Sequence, residues 1–357
     1  MSKFIAAILF IGLAVAGFEA FRFLSAGPGQ TSEQSVFEVP PGKSFHYVAE
    51  QLEKKGLVTS ALKMRVLARL THQGANVKMG EYQLNRGMSP QEILSTLVSG
   101  KSIQYPVTFP EGSNIYEMAA ILDRHGIYKG SEFLKAVHDK VLIKELLGVD
   151  VSGLEGYLYP ETYNFTRFTP LRDFIAGMVQ NFKTVYAGVE NSAKSQGKAP
   201  TMSRHELVIL ASMVEKETGS GPERPIIASV FYNRLKKGMK LQSDPTTIYG
   251  IWVATGSYKQ NITKDDLLSP TSYNTYTEAR LPFGPIANPG LEALTAVFKP
   301  AKSEYLYFVS HNDGTHAFSR TYEEHLNAVK RFQLDPSARE GKSWRDLSGK
   351  GKGSAHL

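Results

Sequence analysis

The chain of 357 residues contains no cysteine, which excludes disulfides and thiolate-held metal sites whatever its compartment. Its nine histidines show no H-E-x-x-H pair or other ligand spacing, so neither a metal nor a cofactor is expected. Arg-rich helices and nucleic-acid motifs are lacking too. The net charge of +7 is spread along the chain and speaks for a solvated surface, with no nucleic-acid partner. Two short look-alikes fail on context. Ser60-Ala61-Leu62-Lys63 has the S-x-x-K spacing of penicillin-binding enzymes without an S-D-N or K-T-G partner, and Ser60 reads as a helix cap. Gly100-Lys101-Ser102 resembles the end of a phosphate-binding loop, but Ser95 stands where the first glycine is required.

An apolar content of 42% suffices for two modest domains with flanking segments. After Lys3 comes "FIAAILFIGLAVAGF", uncharged from Phe4 to Phe18. Fifteen residues fall short of the roughly 20 that a spanning helix wants. A cleaved signal, with Ala14-Val15-Ala16 as its cleavage signature, therefore stands beside an uncleaved anchor. The anchor is favoured because Phe21, Phe23 and Leu24 extend the apolar surface while Glu19 and Arg22 can reach the interface. Either way the body is exported. Residues 25–35 have linker composition, and "DPSAREGKSWRDLSGKGKGSAHL" from Asp335 reads as a disordered tail. Between them, "VPPGKSFHYVAEQLEKKGLV" and "FPEGSNIYEMAAILDRHGIY" align at a constant offset of 70, as a strand-turn-helix module used twice. "YLYFVSHNDGTHAFS" predicts a hairpin turning at Asn312-Asp313-Gly314.

The stretch "LVILASMVEKETG" places two acids at the end of an apolar run. Ser203-Arg204-His205-Glu206 is a capping box and Gly219 a stop, predicting one helix over 204–218. At about 100° per residue Glu217 lies beside Met213, Leu210 and Val214, whereas Glu215 lies near Ser212, Ala211 and Lys216 and reads as a surface or supporting acid. Apolar surroundings and the negative end of the helix dipole both favour the protonated form of Glu217. Glycosidic cleavage needs such a proton donor. Periodicity leaves open an ordinary helix-end glutamate that reaches solvent or pairs with an arginine. Downstream, "MKLQSDPTTIYG", "SPTSYNTY" (269–276) and "LPFGPIANPG" (281–290) combine polar side chains, aromatics and prolines. They suit a cleft for a sugar polymer or, alternatively, structural turns.

With "EGYLYPETY", "GEYQL", "ASMVEKET", "ASVFYNRLKKGMKLQSDPTTIYG", "SPTSYNTYT", "LPFGPIANPG" and "YLYFV" in order, the chain from about Val36 to Lys330 resembles the MltG/YceG family of endolytic murein transglycosylases. The resemblance implies an α+β chain with an N-terminal membrane anchor (1–24), a linker (25–35), a small LysM-like α+β module (36–104), a mixed α/β catalytic domain with a helical core and a β-hairpin (105–334), and a tail (335–357). It implies a single-pass protein of the inner membrane with its catalytic body in the periplasm. Peptidoglycan glycan strands are then its substrate, and cell-wall synthases are left open as partners. The reaction implied is cleavage of the MurNAc–GlcNAc β-1,4 bond of nascent strands to leave 1,6-anhydroMurNAc ends, which limits elongation. The second Glu of the family's E-K-E motif carries over to Glu217 as catalytic residue. By motif position, Gln242, Asp244, Asn274 and Tyr276 are candidates for binding sugar or orienting Glu217. Phe283, where a second proline is expected, and a hairpin turn with fewer glycines depart from the pattern. A lysozyme-type hydrolase using Asp244 or Glu278 as second carboxylate, and a non-catalytic wall-binding scaffold, are the rival readings.

Overall fold

In the computed structural model, which describes residues 2–29, 33–197 and 202–335, the chain divides into two units. The first runs to Pro106 and regains Tyr163–Pro170; the second comprises Val107–Thr162 and the chain from Leu171 onward. The division expected from sequence fell between 104 and 105 and did not set residues 163–170 apart. Beyond Asp335, the expected tail lies outside the described residues.

The first unit contains α1 (Ser2–Ser25), β1 (Ser35–Val39), α2 (Phe45–Lys54), α3 (Ala61–Leu70), β2 (Gly80–Leu84) and α4 (Pro90–Ser99). Antiparallel pairing sets Phe37 opposite Tyr82, and strand alternation turns Phe37 and Val39 inward. They meet Ala49 and Leu52 of α2, Met64 of α3 and Ile93 of α4, with Phe23 from the end of α1 in the same core. Serines start the helices: Ser44 and Ser60 accept backbone N–H bonds, and Ser89 forms a capping box with Glu92. Among the described residues no helix is long and apolar enough to cross a membrane. Within the apolar run, the side chains at positions 4, 6–9 and 16 lie outside the described residues.

In chain order follow β3 (Tyr105–Thr108), α5 (Ile115–His125), α6 (Gly130–Val137), α7 (Lys140–Leu147), β4 (Thr162–Phe165), α8 (Leu171–Lys194), α9 (Arg204–Glu217), α10 (Arg224–Lys236), α11 (Asp244–Thr255), α12 (Lys264–Leu268), α13 (Leu291–Phe298), the hairpin strands β5 (Tyr307–Ser310) and β6 (His316–Ser319), and α14 (Tyr322–Val329). The two halves of the internal repeat take the same local form. Gly42 (φ 73°) and Gly112 (φ 76°) turn the chain after a strand, and Gly56 (φ 66°) and Gly126 (φ 67°) end the helix that follows. At the hairpin, Asn312 (φ 65°) and Gly314 (φ 91°) supply the left-handed turn, with Phe308 opposite Phe318.

Helix α9 is the axis of the second unit. Its capping box is present as the sequence predicts, and all residues from Leu207 to Val214 are buried. A helix apolar on every side must be enclosed, and α9 packs against α10, α11 and α13. Each fully buried Leu, Ile, Val or Met contributes about 1.5–3 kcal/mol, so this helix is held firmly along its length. The end differs in detail from expectation. Thr218, not Gly219, leaves the helix in extended conformation (φ −145°), and its Oγ1 accepts the Ser220 N–H at 2.9 Å.

Candidate active site

Glu217 is the last residue of α9, so a rigid buried helix delivers its carboxyl to the surface of the second unit. Ser243 Oγ donates a short hydrogen bond to Glu217 Oε1. Burial raises the carboxyl pKa to about 7; the nearby Asp244 charge raises it further, while the Ser243 hydrogen bond and the Arg234 guanidinium oppose the shift. Near neutral pH the group is thus divided between acid and base, the condition that general acid–base catalysis favours.

The surrounding groups are fixed from three directions. Arg234 of α10 is buried, its Nε donating to Leu306 O at 2.6 Å and a terminal nitrogen to Leu241 O at 2.7 Å. Gln242 adopts a left-handed backbone (φ 49°), uncommon for a residue with a side chain, and its N–H donates to Thr275 O at 3.1 Å. The Ser243 N–H donates to Thr275 Oγ1 at 3.0 Å, strapping the head of α11 to the loop that carries Tyr276. Tyr276 OH donates to Asp244 Oδ1 at 2.5 Å.

Two cavities share Glu217. One, of about 410 Å³, is lined by Arg234, Gln242, Asp244 and Tyr276, with Tyr307, Phe308, Tyr322 and His325 from the hairpin and α14. The other, of about 530 Å³, is lined by Glu111, Lys216, Asn312 and His316 among others. His316 of this lining is held twice by Glu223, whose carboxylate accepts from the His316 backbone N–H at 2.9 Å and meets its Nδ1 at 2.8 Å. A carboxylate only accepts, so Nδ1 carries the proton of this bond.

Of the residues singled out in the sequence, Glu217, Gln242, Asp244 and Tyr276 come together in one cavity. Asn274 does not. It is 1% exposed, its Oδ1 accepts the Tyr276 N–H at 2.9 Å, and its Nδ2 donates to Leu267 O and Ser269 O. Its amide is consumed in holding the loop, so it supports Tyr276 from below. Glu278 pairs with Arg280 and is absent from both linings. The loop "LPFGPIANPG" is a staple rather than a cleft wall: Ile286 N–H donates to Ser212 Oγ at 3.1 Å and Gly290 N–H to Glu215 Oε2 at 3.0 Å.

Glu215 is no surface acid either. Its side chain is 5% exposed and pairs with Arg224 at 2.9 Å. The two acids of "EKE" are therefore distinguished by their partners, not by burial: a cation holds Glu215, whereas Glu217 has a hydroxyl and a like charge. Glu155 shows that a raised pKa alone does not mark the site. Burial takes it to about 8, but it accepts from Ile115 N–H, Tyr249 OH and Asn288 Nδ2 inside the fold and opens to neither cavity. Sequence reasoning missed Arg234, Ser243 and the aromatic wall from Tyr307 to His325; the polar run Gln242-Ser243-Asp244 was the one local signal. Among the described residues there is no cluster of acids and histidines that could hold a metal ion.

Residues 37–331 match the model of the YceG-like family. A Bacillus subtilis protein named endolytic murein transglycosylase is 34% identical over 310 residues, covering 82% of this chain and 83% of that one. A Streptococcus pneumoniae protein of the same name is 32% identical over 322 residues, covering 80% of this chain and 56% of that longer one. The crystal structure of a putative yceG-like protein from Listeria monocytogenes superposes with a TM-score of 0.55 at 31% identity, covering 83% of this chain and 99% of that one.

Proposed function

The chain belongs to the YceG-like family, and from that membership and the place of Glu217 we propose that it is an endolytic murein transglycosylase acting on peptidoglycan glycan strands. The observation that carries the reading is that Glu217 is common to two cavities. An enzyme that cuts within a strand must hold sugars on both sides of the scissile bond, and a carboxyl facing two adjoining cavities meets that need.

The protonated Glu217 gives its proton to the oxygen of the MurNAc–GlcNAc β-1,4 bond as C1–O breaks. The resulting carboxylate takes the proton of the muramyl 6-hydroxyl as that oxygen bonds to C1. The strand end becomes 1,6-anhydroMurNAc, no water is consumed, and Glu217 ends protonated. A pKa of about 7 serves both half-steps, because neither protonation state is far in energy from the other. The substrate N-acetyl group assists at C1. Asp244 adds negative charge near the developing oxocarbenium ion, and Gln242 and Tyr276 bind sugar. Glycan digests should contain anhydro ends, lighter by one water than the reducing ends of hydrolysis.

Lysozyme-type hydrolysis is the second reading. It is favoured by one observation: Asp244 lines the same cavity as Glu217 and supplies a second carboxylate. Product mass decides between the two, and reducing ends alone would overturn the transglycosylase reading.

The finer parts of the assignment belong to the same proposal. The protein is anchored in the inner membrane by the apolar run of α1, with its body in the periplasm, where cleavage of nascent strands limits their elongation. The β1-α2-α3-β2 unit is LysM-like, a reading supported by two helices enclosed between paired antiparallel strands.

A further inference from the structure

Helix α3 has two dissimilar faces. Met64, Leu67 and Ala68 are buried in the core of the first unit, whereas Leu62, Val66 and Leu70 are 62%, 49% and 75% exposed. Positions four apart share a helix face, so these three form one apolar stripe. On the helical wheel Lys63 borders one edge of it, and Arg65 and Arg69 border the other. Single exposed leucines need no account. A stripe bordered by cations on both edges is the pattern of a helix lying in a membrane interface.

The place of the stripe within the unit agrees. Leu62, Val66 and Leu70 share an apolar cavity of about 390 Å³ with Ala20, Phe23 and Leu24 of α1. Phe23 fixes α1 in the core, and Lys63 Nζ pairs with Glu19 at 3.1 Å. At about 1.5 Å per residue, the uncharged run from Phe4 to Phe18 spans only about 21 Å, short of a hydrocarbon layer of about 30 Å. Continuing the helix to Leu24 supplies the missing length. The acyl region then ends at the level of Phe23 and Leu24, where the α3 stripe stands. Glu19 and Arg22 fall within this last stretch; Lys63 pairs with Glu19, and Arg22, 4.0 Å from Glu19 with its side chain 74% exposed, is long enough to reach toward the headgroups.

We propose that α3 is a membrane-interfacial helix, with Leu62, Val66 and Leu70 inserted among the acyl chains of the leaflet from which α1 emerges. Arg65 and Arg69 then lie at the level of anionic lipid headgroups, while Lys63 stays engaged with Glu19. The inference rests on the reading of α1 as an anchor. Lipid is the occupant because the length deficit of α1 already draws the bilayer surface to the stripe and because the bordering cations match anionic headgroups.

The absence of cysteine permits a direct test. Full-length Leu62→Cys, Val66→Cys, Leu70→Cys and Ile11→Cys chains, each carrying one fluorophore, are reconstituted in phosphatidylcholine–phosphatidylglycerol vesicles. Quenching by an acyl-chain nitroxide is compared with quenching by iodide in water. All four positions should be quenched several-fold more strongly by the lipid-borne nitroxide. If iodide reaches the stripe while Ile11 remains lipid-quenched, the proposal is overturned and the anchor stands. Shielding of the stripe from both quenchers means that protein covers it, which also overturns the proposal. If iodide reaches Ile11 and the stripe alike, the anchor reading fails and this one with it.

Discussion

Ser243 gives its hydroxyl hydrogen to Glu217 and makes no side-chain cap, although it stands at the head of α11. A capping serine usually stabilises its helix by about 1 kcal/mol, and here that contribution is forgone in favour of the acid. Because this hydrogen bond lowers the Glu217 pKa, Ser243→Ala should raise it from its value of about 7. The carboxylate needed for the second half-step becomes harder to form. Glycan cleavage should fall by about tenfold or more, and the basic limb of the pH–rate profile should move upward. An unmoved limb would show that the hydroxyl does not tune the acid.

Glu217→Gln keeps shape and loses the proton. Cleavage should drop by about 10²–10⁴-fold, as expected for loss of a general acid–base. In the wild type, kcat/KM should decline above pH of about 7, where the acid form is lost. Stability carries an independent signature. The folded pKa of about 7 exceeds the ordinary 4.5, so between them the folded state holds a proton that the unfolded chain releases. The wild type therefore loses stability as pH rises through this window. Melting temperatures of the two proteins should lie closest near pH 4 and diverge up to about pH 8, with the variant ahead.

Asp244 is the residue on which the two chemistries disagree. Its charge raises the Glu217 pKa, so Asp244→Asn should shift the basic limb to lower pH. Residual product should still be entirely anhydro if Glu217 alone handles protons. A hydrolase that uses Asp244 as its second carboxylate would instead lose essentially all cleavage in this variant.

Local devices were legible in the sequence because their causes are local. Ser203 and Glu206 announce the start of α9, and Asn312-Asp313-Gly314 announces the hairpin, with neighbours alone deciding the backbone. The glycines at 42 and 112 made the repeated module visible. The helical wheel reached Glu217 for an incomplete reason: α9 is buried on all sides, so orientation within the helix does not separate the two acids. Their partners separate them: Arg224 from the start of the next helix holds Glu215, and Ser243 and Asp244 from the head of α11 meet Glu217, placements that no periodicity encodes. The wall of Tyr307, Phe308, Tyr322 and His325 lies about a hundred residues downstream of Glu217, and only folding brings it to the site.

The Glu215–Arg224 pair predicts a variant that damages the fold and leaves the Glu217 proton chemistry in place, although Glu215 also borders the second cavity. Both side chains are less than a tenth exposed, and Glu215 also accepts the Gly290 N–H, tying α9 to α10 and to the loop before α13. Glu215→Gln leaves Arg224 charged and buried, with the exposed Glu292 as its remaining acidic partner. Removing one member of a buried pair typically destabilises by about 3–5 kcal/mol, and Glu292 should hold the loss near the lower figure. Chemical denaturation should show that loss. Well below the unfolding transition, the pH–rate profile should keep the wild-type basic limb, since Glu215 is not among the groups that set the Glu217 pKa. A shifted limb at full folding would make Glu215 part of the proton machinery and overturn the division of labour between the two acids.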